Sequence, residues 1–340
     1  MVKVGTVKGV IFAGGYGKRL MPLTESTPKP LLDLKDGYSI LDKQILDLKY
    51  AGIGEVYLLI GHLGEQIQKR YGSSFKGVKI HYLLEDKPIG TLFALKNALK
   101  NIKTDIVVRN GDVVSDLNIK NLIKHAQADD ALITMALTAM QSPYGVVEFS
   151  GRKVISFKEK PFLDIYINAG TYYIKKEAFP YFKQEYERRE VEFTVFPRLV
   201  EDGKMSPYYE KSTFWRSVDG IKDLEVVRKE YENREDKPWG YEKIIVNNPK
   251  YLVKELYLKK DFRTSLHYHP NKDESMHILN GEGYIEFTDE KKRIPVRTGK
   301  VVRIEPNRRH SIVATENLKI YEYSTPHPND SVRVKDFYQR

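Results

Sequence analysis

Two groups of residues in this 340-residue chain have the types and spacing to do chemistry. The first is Gly14-Gly15-Tyr16-Gly17-Lys18-Arg19, directly behind an apolar stretch that reads as a strand. Glycines let main-chain N–H groups approach phosphate oxygens closely, and Lys18 and Arg19 add positive charge. The run is not a P-loop, because no Gly-x-x-x-x-Gly-Lys-Ser/Thr can be read there. Nor is it the dinucleotide fingerprint, whose third glycine is missing. Lys29-Pro30 lies ten residues after Arg19, and the proline would fix the chain that presents the lysine. The second group is His267-Tyr268-His269, then Glu274 and, much later, His310. Residues two apart on a strand share a face, so His267 and His269 can ligate one ion while Glu274 returns from the next strand. Nitrogen and carboxylate ligands without sulfur suit Fe²⁺, Mn²⁺, Ni²⁺ or Zn²⁺, and the spacing does not choose among them.

Composition narrows the setting of both groups. With no cysteine, disulfides, thiolate metal sites and a cysteine nucleophile are excluded. A chain that is 41% apolar and 30% charged is neither disordered nor fibrous, and its length allows one large domain or two ordinary ones. The longest weakly polar run, Ala131 to Met140, is ten residues. A membrane-spanning helix needs about 20. The apolar segment before Gly14 is too short for a secretory signal, so a cytoplasmic protein without a membrane partner is expected. The net charge of +10 fits phosphate-rich small substrates. Nothing resembling a helix-turn-helix, an RNP strand or a block of five basic residues points to a nucleic-acid partner.

Elements that could position the first group alternate in type. Val7–Phe12, Val56–Ile60, Val78–Leu84 and Ile106–Val108 read as strands. Leu41, Ile45 and Leu48, then Leu92, Leu95 and Leu99, mark helix faces between them. Such alternation predicts crossover connections and a mostly parallel sheet that binds ligands at the carboxyl ends of its strands. Two loops lie at such ends: the glycine run and Asn110-Gly111-Asp112. Near Lys229–Pro238 the pattern is lost in a charged segment. Short strand-like pieces follow, among them Tyr251–Leu258, Gly283–Phe287, Val301–Ile304 and Leu318–Tyr323, which predict a β-sandwich or barrel. The expected boundary divides residues 1–234 from 235–340.

GGYGKRLMPLTESTPKPLL, LEDKPIGT, NGD, YGVVEF, FKEKP and NAG occur in this order over the first part of the chain. In them the sequence resembles the sugar-phosphate nucleotidyltransferases, which join a nucleoside triphosphate to a sugar 1-phosphate and release pyrophosphate. The resemblance implies an α/β, Rossmann-like domain with a mixed, mostly parallel sheet. By the same resemblance Gly14, Gly15, Gly17 and Lys18 hold the triphosphate with Arg19, and Lys29 acts at the reacting phosphates. Asp112 binds Mg²⁺. Glu85, Gly90 and Thr91 belong to the nucleotide site, while Gly145, Glu159, Lys160 and Asn168 take the sugar phosphate. Many relatives carry a second metal aspartate in Trp-x-Asp-x-Gly-Thr. This chain has Trp215-Arg216-Ser217-Val218-Asp219, more like the glucose-1-phosphate cytidylyltransferases, which makes Asp219 either the second ligand or a helix N-cap.

Glu85 stands where many relatives place a glutamine that reads uracil or thymine. An ionised carboxylate only accepts hydrogen bonds, which suits the neighbouring N1–H and N2 donors of guanine. That favours GTP.

His267, His269, Glu274 and Gly281 follow the first cupin motif, and Gly299 and His310 resemble the second, with Glu305 where proline is usual. The resemblance implies an all-β double-stranded β-helix, or jelly roll, holding one divalent transition metal. Lys237-Pro238-Trp239-Gly240-Tyr241-Glu242, SLHYHPNKDE and the ending STPHPNDSVRVKDFYQR resemble the phosphomannose-isomerase-type cupins fused behind mannose-1-phosphate guanylyltransferases. Many of those have glutamine where His267 stands, which leaves the isomerase assignment open. The leading expectation is GDP-mannose synthesis from GTP and mannose 1-phosphate in a homo-oligomer, with a cupin that binds or isomerises a phosphorylated sugar and could form a dimer. The alternative is a glucose-1-phosphate cytidylyl-, thymidylyl- or uridylyltransferase whose cupin only senses sugar or dimerises.

Overall fold

The structure is a computed structural model and describes residues 7–85, 90–211 and 213–338. Residues 86–89 of the LEDKPIGT stretch and the last two of the C-terminal string lie outside them. The chain divides into two compact units, Met1–Leu224 and Glu225–Arg340.

The first unit is built on an eight-stranded sheet of β1 (Lys8–Ala13), β2 (Glu55–Ile60), β3 (Ser74–Phe75), β4 (Val78–Leu84), β5 (Ile106–Asn110), β6 (Ile133–Gln141), β7 (Phe162–Ile174) and β8 (Met205–Tyr209). Its order is β8-β6-β7-β5-β1-β2-β4-β3. β1 runs parallel to both β2 and β5, β2 to β4, and β6 to β8, whereas β7 is antiparallel to both of its neighbours. Val10, Ile11, Val56, Leu58 and Val107 are fully buried, as two-sided coverage of a parallel sheet requires. Helices α1 (Ile40–Tyr50) and α2 (Thr91–Asn101) begin and end close to the expected apolar faces. A capping box between Ser39 and Asp42 starts α1. The chain leaves β1 for β2 on one side and reaches β5 on the other. A crevice therefore opens at the carboxyl end of β1.

The second unit holds two sheets. One has the order β9-β10-β11-β18-β13-β16, from β9 (Arg234–Lys237), β10 (Gly240–Asn247), β11 (Leu252–Leu258), β13 (Glu274–Asn280), β16 (Val301–Ile304) and β18 (Leu318–Ser324). The other is β15-β14-β17-β12-β19, from β12 (Leu266–Tyr268), β14 (Glu282–Phe287), β15 (Lys292–Arg297), β17 (His310–Ala314) and β19 (Val332–Lys335). Leu256, Ile278, Ile285, Ile312 and Ile320 from both sheets form one core.

The segment at Lys229–Pro238, which carries no pattern in the sequence, is ordered structure: a helix runs over Ile221–Tyr231 and β9 follows. Arg234 explains the difference. Its guanidinium is buried between the rings of Tyr231 and Tyr241, at 4.5 and 3.8 Å, and pairs with Glu230 and Asp236. A charge within the segment that shows no pattern is thus packed in the interior.

Candidate active site and cupin metal centre

A cleft of about 400 Å³ lies at the carboxyl end of β1. It is lined by Gly14, Gly15, Gly17, Lys18 and Arg19 behind β1, Lys29, Glu85 behind β4, Gly90 and Thr91 at the start of α2, Asp112 behind β5, and Asp219. Close backbone packing permits this convergence. A Cβ on Gly111 would stand 1.9 Å from the Phe12 carbonyl oxygen, so only glycine lets the β5 loop pass against β1. Gly17 adopts φ +62°, and its carbonyl accepts from Thr24 Oγ1 at 2.9 Å, which curls the loop back on itself.

The charged groups interlock. Lys29 Nζ donates to Asp112 Oδ2 at 2.8 Å and lies 3.9 Å from Asp219 Oδ1. Arg19 donates to that same oxygen of Asp219 at 3.2 Å. Two cations and two carboxylates thus converge from four separate segments. Of the two readings of Asp219, the capping role falls to a different residue: Asp223 Oδ2 accepts from the N–H groups of Asp219 and Gly220, at 3.2 and 3.1 Å. The Asp219 carboxylate faces the cleft. Paired carboxylates are the hard oxygen donors that Mg²⁺ accepts alongside phosphate and water, so this donor set fits the ion.

Residues expected at the sugar phosphate do not line this cleft. Glu159 and Lys160 lie 4.0 Å apart, both about 60% exposed, at the end of the hairpin Val146–Ser150 and Lys153–Lys158. Gly145 faces that hairpin, since a Cβ there would meet the Phe157 ring at 2.7 Å and Glu159 Oε2 at 3.0 Å. Asn168 sits on β7, where its Nδ2 donates to the Tyr172 hydroxyl at 2.6 Å and its Oδ1 accepts from Gly170 N–H. Burial raises the Tyr172 phenol above its usual range.

Sequence reasoning missed Gln44. Its fully buried Nε2 donates to the carbonyls of Asn110 and Val113, at 2.9 and 2.8 Å, bracketing Asp112 from α1. Gln44→Leu removes both bonds and should destabilise the protein by about 1–3 kcal/mol. Urea unfolding measures it, and a variant as stable as the parent would mean that other donors serve those carbonyls.

In the second unit His267 and His310 are paired neighbours on β12 and β17 of one sheet, while Glu274 opens β13 of the other. Glu274 Oε1 lies 3.0 Å from His310 Nε2, and Oε2 lies 3.7 Å from His269 Nε2. One ligand nitrogen from each of His267, His269 and His310 lies within 4.8 Å of the others. Each Nδ1 is already engaged: His267 with the Ser265 carbonyl at 2.8 Å, His310 with the Arg308 carbonyl at 2.9 Å, and His269 with Asp330 at 2.8 Å. A carbonyl only accepts, so Nδ1 of His267 and His310 carries the proton and Nε2 offers a lone pair. Burial pulls His267 down to about 3 and keeps it neutral. Burial opposes ionisation of Glu274, but the neighbouring charge, with Lys272 Nζ 3.3 Å from Oε2, outweighs it and holds the carboxyl below its usual range. Both Glu274 oxygens and His310 Nε2 are buried without a hydrogen bond. Glu274 Oε1 and His310 Nε2 face one another beside the other two imidazoles, and such a set of nitrogen and carboxylate ligands fits a divalent cation. A cavity of about 510 Å³ adjoins these groups, with Glu242, Lys254, Lys272 and Arg333 also on its wall.

This fold, with a glycine loop, lysine and two aspartates at the carboxyl end of its first strand, defines a nucleotidyltransferase-type protein. The sequence pattern of the nucleotidyl transferase family matches residues 8–234, and the chain belongs to that family. The cupin domain pattern matches residues 255–322. Mannose-1-phosphate guanyltransferases of Pichia angusta and Kluyveromyces lactis are 33% and 34% identical over 231 residues, 64% of this chain and 62% and 63% of those proteins. The bifunctional protein GlmU of Methanococcus maripaludis is 32% identical over 219 residues, 62% of this chain and 50% of that protein. The chain thus spans less than two thirds of the length of these curated relatives. Among solved structures, a putative glucose-1-phosphate thymidylyltransferase from Bacillus anthracis, in complex with a sucrose, superposes with a TM-score of 0.55 at 25% identity. It covers 66% of this chain and 94% of that one. HddC from Yersinia pseudotuberculosis, at 23% identity and a TM-score of 0.52, covers 66% and 100% and shares the fold. No helix among the described residues is long and apolar enough to cross a membrane.

Proposed function

We propose that residues 1–234 form a sugar-1-phosphate nucleotidyltransferase domain that makes GDP-mannose and pyrophosphate from GTP and mannose 1-phosphate. Residues 235–340 would form a cupin domain that binds or isomerises a phosphorylated sugar. The observation carrying the first assignment is the convergence of Arg19, Lys29, Asp112 and Asp219 on one glycine-lined cleft. In this reading Gly14, Gly15, Gly17 and Lys18 hold the triphosphate, and Arg19 and Lys29 balance its charge. Asp112 and Asp219 hold Mg²⁺, which when bound would draw charge off the phosphates. Glu85 reads the base beside Gly90 and Thr91. Gly145, Glu159, Lys160 and Asn168 hold the sugar phosphate. A phosphate oxygen of the sugar 1-phosphate, ionised at neutral pH, attacks the α-phosphorus and the bond to pyrophosphate breaks. No general base is needed, and the chain's residues contribute in-line positioning and charge neutralisation.

In the cupin, His267, His269, Glu274 and His310 would hold one transition-metal ion, which supplies a Lewis acid for sugar oxygens. A cytidylyl-, thymidylyl- or uridylyltransferase with a non-catalytic cupin is the second reading, favoured by the string that ends in Asp219.

The separating experiment offers the five nucleoside triphosphates with mannose, glucose and heptose 1-phosphates and scores pyrophosphate release. GTP with mannose 1-phosphate should react fastest, and preference for another pair overturns the substrate assignment. Glu85→Gln should lower GTP use selectively, by about 1–3 kcal/mol if a charge-assisted pair is broken. An equal loss with every triphosphate would remove Glu85 from base recognition.

A further inference from the structure

The three imidazoles of the cupin centre are anchored in two different ways. His267 and His310 are each held by the carbonyl two residues before them, Ser265 and Arg308, so their anchors travel with their own strands. His269 has no such local anchor. Its Nδ1 meets Oδ1 of Asp330 at 2.8 Å, across 61 residues of sequence. The other oxygen of Asp330 accepts the main-chain N–H groups of Asn271 and Lys272, at 3.0 and 2.8 Å.

Through that second contact Asp330 reaches the remaining ligand. Lys272 is almost fully buried, with Nζ 2.8 Å from Glu322 Oε1 and 3.3 Å from Glu274 Oε2. Glu274 therefore has one oxygen beside an ammonium while the other faces His310 Nε2 at 3.0 Å. A carboxylate with an ammonium against one oxygen has a preferred orientation, and Asp330 fixes the backbone from which that ammonium extends.

We propose that Asp330 is the positioning residue of the cupin metal centre, orienting His269 directly and Glu274 through Lys272. Its role rests on the metal site assigned above. A carboxylate suits the position because all three of its partners are donors: His269 Nδ1–H, Asn271 N–H and Lys272 N–H. Asparagine has one acceptor oxygen and would turn an NH₂ group toward donors. Outer-shell carboxylates of this kind typically contribute ten- to a hundredfold to metal affinity.

Co²⁺ is the probe, because its visible spectrum reports ligand number and geometry. The full chain, stripped of metal, is titrated with Co²⁺ against a competing chelator. The parent should bind one ion per chain with a ligand-field spectrum, and a parent that binds none overturns the metal site itself. Asp330→Ala should weaken Co²⁺ binding by about ten- to a hundredfold and shift the spectrum. A merely structural role would lower thermal stability without moving the spectrum of the loaded protein. Asp330→Asn, the gentler variant, should weaken binding by a smaller factor in the same direction, and it carries the test if Asp330→Ala does not fold. Parental affinity and spectrum in whichever variant folds overturn the proposal.

Discussion

Replacing Asp112 with asparagine should slow nucleotidyl transfer by at least about a hundredfold, roughly 2.7 kcal/mol of barrier, while the protein stays folded. Asparagine keeps the carbonyl oxygen that can accept from Lys29 Nζ, at 2.8 Å in the parent, so the cleft retains its shape. What disappears is a full negative charge at the carboxyl end of β5. Lys29 now balances Asp112 and stands near Asp219, and once a triphosphate enters, the cations have phosphate oxygens to satisfy as well. The carboxylates are then the groups left to hold a divalent ion, and an amide is a poor substitute for that purpose. Initial rates of pyrophosphate release across a Mg²⁺ titration measure the effect. Excess Mg²⁺ should recover only part of the loss. A rate within tenfold of the parent at ordinary Mg²⁺ would remove Asp112 from the role of metal anchor.

Asp112 could be singled out from sequence because its signals are local: a strand, a turn and a carboxylate in consecutive positions. The same holds for the strands. Val78–Leu84 is observed as expected, and β1, β2 and β5 differ from expectation by a residue or two at their ends. Apolar runs bounded by turn residues carry that information within a few positions. What escaped depends on partners far away. α1 was readable from Leu41, Ile45 and Leu48, yet its Lys43 and Asp47 are also buried. Lys43 pairs with Asp47 at 2.6 Å, and Asp47 meets the fully buried Arg109 at 3.0 Å. Helical periodicity assigns charged residues to the solvent side, and only the pairing across to β5 brings these inside. Gln44 and Asp330 were hidden for the same reason. Each reaches a site some sixty residues away in sequence, at Asn110 and His269, and neither sits in a spacing that marks chemistry. Arg234 was obscured differently, because its aromatic and acidic neighbours make up the charged segment that looked unpatterned.

The double substitution His267→Ala, His269→Ala should abolish transition-metal binding by the cupin, and metal analysis of protein reconstituted with Fe²⁺, Mn²⁺, Ni²⁺ and Zn²⁺ measures it. The parent should retain about one ion per chain beyond any Mg²⁺. The geometry predicts a complete loss. Removing two imidazoles leaves Glu274 and His310, and Glu274 Oε2 still has Lys272 at 3.3 Å as a competing partner. Two ligands, one of them shared with an ammonium, do not compete with water for a divalent ion at micromolar concentration. The buried, neutral His267 contributes its ring without a proton to displace, so its loss removes a ligand rather than a charge. The fold should survive, because the core of Leu256, Ile278, Ile285, Ile312 and Ile320 is untouched. With sugar 1-phosphate supplied directly, nucleotidyl transfer should continue at the parental rate, just as Asp112→Asn should keep its cupin metal. A parent that takes up none of the four metals would reduce the cupin to sugar binding or assembly. Transfer lost in both variants, with both folded, would mean that the two sites do not work independently, and the two-site reading would have to be abandoned.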